Sequence, residues 1–90
     1  MSGRTIIYDK SFDAGVNLLG GYELLDPIID AVIDALRGNP YAFPKFENDF
    51  ISFRYASTVG ARGVPPLVII FRIEKDGSII LETVEENDSY

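Results

Sequence analysis

The hydrophobic positions follow two different periods along the chain. Up to about residue 40 they fall three and four apart, and from about residue 50 they fall two apart. Leu25, Ile28, Ile29, Val32 and Leu36 stand at i, i+3, i+4, i+7 and i+11, which is one face of an α-helix. The spacing predicts a helix over about 26–37. Asp26 suits its N-cap and Pro27 its first helical position, where a missing N–H costs nothing. Arg37 favours the negative end of the helix dipole, and Gly38 with Pro40 stops the helix. A shorter helix is expected in "SFDAGVNLLGG". There Ser11 would be the N-cap, Phe12, Val16 and Leu19 the apolar stripe, and Gly20-Gly21 the end. Ahead of it "RTIIYD", residues 4–9, is short, β-branched and aromatic, as strands are.

From Phe50 the alternation is that of half-buried strands. Ile51, Phe53 and Tyr55 alternate with Ser52, Arg54 and Ala56, which predicts Phe53 and Tyr55 inward and Arg54 outward. Leu67, Ile69, Phe71 and Ile73 form the inner side of the next strand, with Val68, Ile70, Arg72 and Glu74 outward. "KDG" is a hairpin turn and "SIILETVE" the last strand. The order β-α-α-β-β-β gives an α+β fold, one domain over 1–90, with two helices on one face of a mostly antiparallel sheet. The longer helix should lay Leu25, Ile28, Ile29, Val32 and Leu36 on the sheet face carrying Phe53, Ile69 and Phe71.

Composition narrows the chemistry. Of the 90 residues 47% are hydrophobic and 24% charged, enough apolar surface for one modest core. Cysteine and histidine are both absent, which removes disulfides, thiolate metal sites, the commonest general base and the commonest metal ligand. No cofactor and no metal site are expected. A formal charge of −6 argues against general nucleic-acid binding, and it favours a partner that is neutral or basic where it touches the chain. No apolar run is long enough for a membrane span and the N-terminus lacks a signal-peptide pattern, so a cytoplasmic protein is expected.

Three groups of side chains offer chemistry. Asp26, Asp30 and Asp34 line one helix face, either as a solvated stripe or as part of an oxygen-ligand set. Arg54 and Arg72 share an outward parity, and Arg62 stands in the loop between their strands. Such a cluster can hold phosphate or carboxylate through bidentate bonds, or else pair with Glu74 and Glu82 across the strands. Tyr41, Phe43 and Phe46 interleave with Lys45, a pattern that either closes the end of the core or stacks on single-stranded nucleic acid. Lys45, Arg54 and Arg72 are thus the candidates for anion or RNA binding.

The phrases "ALRGNPYAFP" and "IIFRIEKDGSIIL", with the closing "V…DSY", resemble the RelE/ParE toxin superfamily of bacterial toxin–antitoxin modules. The helix exit "LRGNP" is similar to the family's "L…NP", and "FRIEKDG" to its third strand and turn. The resemblance implies a cognate antitoxin as partner. It also implies one of two targets: mRNA in the ribosomal A site for RelE-type members, or DNA gyrase for ParE-type members. Matched by position, Arg54, Arg62 and Tyr90 would be the catalytic residues. Three positions depart from the pattern: Val68 stands where the family commonly has arginine, and Glu86 and Asn87 stand where it has His, Arg or Lys. A like charge about 4 Å from a reacting phosphate costs on the order of 4 kcal/mol at an effective dielectric of about 20. The nuclease reading is therefore of a degenerate site, and the alternative is a non-catalytic member that works by binding a protein.

Overall fold

The computed structural model describes residues 4–45, 53–61 and 63–87. In chain order the elements are β1 (Ile6–Tyr8), α1 (Lys10–Leu18), α2 (Tyr22–Gly38), a 3-10 turn (Pro40–Ala42), β2 (Phe53–Ser57), β3 (Leu67–Ile73) and β4 (Ile79–Glu86). The strands form one sheet in the order β1-β4-β3-β2. β1 runs parallel to β4, and the other two pairings are antiparallel. This is the α+β layout the periodicity predicts.

Both helices start earlier than expected. Asp9 rather than Ser11 caps α1, accepting from the Ser11 backbone N–H at 3.0 Å and from its hydroxyl at 2.7 Å. Those bonds, side chain first, hold the Asp9 carboxyl below its ordinary pKa. The capping bonds are present at neutral pH and are lost as pH falls through that lowered value. The α2 helix begins a full turn before Asp26, with Gly21 as its N-cap, so Asp26 and Pro27 lie inside it. Pro27 has no N–H to give the Glu23 carbonyl, but both residues are exposed, so that carbonyl is not buried without a partner. Burial of Leu25 ahead of the proline and Ile29 after it holds the extra turn helical.

The core lies between the helices and one sheet face. Leu25, Ile29, Val32, Ile33 and Leu36 of α2 are buried, as are Phe12 and Val16 of α1. Opposite them stand Leu67, Ile69 and Phe71 of β3 and Ile79, Leu81 and Val84 of β4. Ile28 is only partly buried. Asp30 and Asp34 face away from the sheet and are exposed, which settles the helix register. Between β3 and β4, Gly77 at φ +93° allows the tight turn, closed by a 2.9 Å bond from its N–H to the Glu74 carbonyl.

Candidate functional site

Strand register decides which side chains share a face. Antiparallel partners point the same way, so the pairs Arg54↔Phe71 and Ala56↔Ile69 put Arg54 and Ala56 on the helix side. Phe53↔Arg72 and Tyr55↔Ile70 put Phe53 and Tyr55 on the opposite, open side. The expected parity of β2 is inverted. "FRYAS" has no unbroken apolar side, and the pairing with buried Phe71 and Ile69 of β3 decides which face turns inward. Arg54 and Arg72 therefore lie on opposite faces of the sheet, and the shared cluster read from their parity does not form.

The open face is mostly apolar and only partly exposed. Ile7, Ile80, Arg72 and Phe53 cross it in one row, then Thr83, Ile70 and Tyr55, then Glu85, Val68 and Ser57. Arg72 is the one cation that the described strands place there, and it is committed. Its Nε donates to Glu82 and its Nη1 to Glu74, the ion pairing that was the alternative to phosphate binding. A bulge makes the Glu82 contact. Phe71 pairs with Leu81 and Ile70 with Thr83, leaving Glu82 as an extra residue between them. Val68 sits beside Glu85 on this face. Arg72 with Glu74, Glu82 and Glu85 sums to a negative charge, the wrong sign for holding phosphate.

On the helix side Arg54 binds the chain itself. Its Nη1 donates to the Phe43 carbonyl at 2.7 Å and to the Tyr41 carbonyl at 3.2 Å, fixing the segment after α2. Its guanidinium carbon stands 5.5 Å from the centre of the Tyr41 ring, and that of Arg4 stands 5.6 Å from the same centre. Lys45 forms an isolated bridge with Arg54 along the outer edge of β2, and its side chain is exposed. Phe43 stacks edge-on against Phe71 with ring centres 5.7 Å apart, so it closes the core, whereas Tyr41 is 54% exposed. Arg62, Tyr90 and Phe46 lie outside the described residues.

Two other features complete the surface. An apolar groove of about 330 Å³ runs between α2 and β2, lined by Pro27, Ala31, Ala35, Phe43, Ala56 and Val59 among others. Tyr22 donates to the Asp13 carboxylate, and burial first, then that bond, pushes its pKa well up. Asp26, Asp30 and Asp34 are all exposed along α2, as a solvated stripe is.

The whole arrangement has a counterpart among solved structures. Over 99% of this chain and 97% of the other, it matches a chain in the crystal structure of the RelBE2 toxin–antitoxin complex from Mycobacterium tuberculosis, with a TM-score of 0.70 and 13% identity. The fold is RelE-like. No protein-family model and no curated protein sequence matches the chain. At 13% identity the RelE-like frame is what is common, and the side chains carried on it must be judged individually. The described helices include none long and apolar enough to cross a membrane.

The grouping of Arg4, Arg37, Tyr41, Lys45 and Arg54 escaped the sequence reading, because no linear spacing connects them. What they share is topology: each stands at the start or end of an element at one end of the sheet. Arg4 precedes β1, Arg37 is in the last turn of α2, Tyr41 is in the 3-10 turn, and Lys45 bridges the start of β2.

Proposed function

We propose that the chain is the toxin of a bacterial toxin–antitoxin pair, acts in the cytoplasm, and works by binding a protein target without RNA cleavage. The observation that carries the first part is the RelE-like fold over nearly the entire chain, matched to a chain of a toxin–antitoxin complex. Its cognate antitoxin is the partner, and the apolar groove between α2 and β2 supports a protein partner of that kind. What supports the second part is the open sheet face. Its cation is neutralised by two carboxylates, and apolar Val68 stands beside Glu85. Cleavage without histidine relies on cations to stabilise the charge that develops at phosphorus, and this face supplies none free among the described strands. DNA gyrase, the target of ParE-type members, is the protein target this reading favours over mRNA on the ribosome.

The test is a ribosome-dependent cleavage assay on the purified protein, with Arg54→Ala, Arg62→Ala and Tyr90→Phe alongside wild type. No cleavage above background is expected from any of them. Cleavage by wild type that falls by two to three orders of magnitude, roughly the cost of one lost transition-state contact, would restore the catalytic reading of Arg54, Arg62 and Tyr90. Cleavage that survives all three substitutions would place the chemistry on other residues.

A further inference from the structure

The net charge of −6 conceals a local reversal. Arg4 and Arg54 flank the exposed ring of Tyr41, and Arg37 and Lys45 stand beside them, which groups half of the eight basic residues at this end of the sheet. Arg37 joins through its Nε, which donates to the Arg4 carbonyl at 3.4 Å. Among the described residues the ion pairs are those of Arg72, so none of these four cations is matched by a carboxylate there. A guanidinium carries five N–H groups. Arg54 uses Nη1 on two carbonyls, Arg4 uses Nη1 on the Gly77 carbonyl at 3.2 Å, and Arg37 uses Nε. Those bonds orient the three groups and leave the rest of each fork unused by described partners.

We propose that this patch is a docking site for an acidic peptide segment of a partner protein. Carboxylates suit it because a guanidinium fork accepts them in a bidentate fashion, and two such forks flank one ring here. The Tyr41 ring gives the apolar stem of a glutamate a surface to lie on. Pro44 and Lys45 already pair along the outside of β2, with the Tyr55 N–H donating to the Pro44 carbonyl at 3.1 Å, so it is the exposed Lys45 side chain and not a free strand edge that an acidic segment would meet.

A polynucleotide fits less well. Its affinity grows with the number of phosphates neutralised, and the patch ends after four cations. Beyond it stand Asp34, one turn back along α2, and Asp76 in the turn beside Gly77. Arg37 also faces the negative end of α2, so part of its charge is already offset. Arg4, Lys45 and Arg54 carry most of the attraction. The acidic remainder of the surface is screened beyond about 8 Å at physiological salt, so the patch acts at contact range.

The proposal does not rest on the toxin reading, and its test has no growth or cleavage readout. The full chain is titrated by calorimetry with a capped oligoglutamate peptide and with an oligouridylate of equal charge. The peptide is expected to bind with Kd below about 1 mM at physiological salt and to weaken as salt is raised further. Arg4→Gln and Lys45→Gln should each weaken it by roughly threefold or more, the order expected for one partly exposed charge pair. Lys10→Gln, at the start of α1, should leave it unchanged. The Lys45 side chain is exposed, so Lys45→Gln keeps the test valid even where Arg4→Gln disturbs the fold. Three results would overturn the proposal: no peptide binding, tighter binding of the oligouridylate, or equal loss on Lys10→Gln.

Discussion

Phe71→Ala is expected to remove a large part of the chain's folding stability. Phe71 is fully buried on β3 within the core shared with both helices, and it stacks edge-on with Phe43. Truncating a buried phenylalanine costs about 3–5 kcal/mol, from lost transfer energy plus the cavity left behind. Small domains hold only about 5–10 kcal/mol in total. With a urea slope near 1 kcal/mol per molar, the unfolding midpoint should fall by about 3 M or more. The informative control is Phe53→Ala. Periodicity alone puts both rings inside, but register puts Phe53 on the open face, half-exposed. It should cost no more than about 1.5 kcal/mol, because a half-buried side chain returns only part of its apolar area to water. Equal losses at the two positions, measured by urea denaturation, would mean that the register of β2 is wrong.

Gly15→Ala should also destabilise, although alanine is the better helix former. In mid-helix the exchange ordinarily gains up to about 1 kcal/mol. Here α1 crosses β4 at Gly15, and an added Cβ would lie 2.6 Å from the Val84 carbonyl oxygen and 3.0 Å from its Cγ1. The near atom is backbone and cannot swing aside, so helix and sheet must separate. Overpacking of this kind costs about 1–3 kcal/mol, which exceeds the propensity gain. Gly38→Ala, with open space around the added Cβ, is the control and should be neutral to slightly stabilising. A higher midpoint for Gly15→Ala than for wild type would show that α1 does not approach β4 this closely.

Where one side of an element is apolar without ambiguity, the sequence was enough to read it. The α2 stripe from Leu25 to Leu36, the alternation from Leu67 to Ile73 and the Asp-Gly turn were all legible for that reason. The β2 strand was not, because "FRYAS" offers two inner faces, and the choice is made by pairing with β3. Nor was the bulge at Glu82, which shifts the inward positions of β4 from Ile79 and Leu81 to Val84 and brings a carboxylate to Arg72. Both concern long-range register, which local pattern does not encode. The same limit explains the candidate site. Parity grouped Arg54 with Arg72, whereas the folded chain groups Arg54 with Arg4, which lies fifty positions away in sequence on β1's near end.

The central claim is that a RelE-like chain with a neutralised sheet face arrests growth by binding rather than by cutting RNA. Induced expression in a bacterial host, with growth and mRNA integrity followed in the same culture, tests it most directly. Growth should stop while mRNA stays intact, and co-expression of the antitoxin should restore growth. Unimpaired growth, or arrest accompanied by cleavage of translated mRNA, would contradict it.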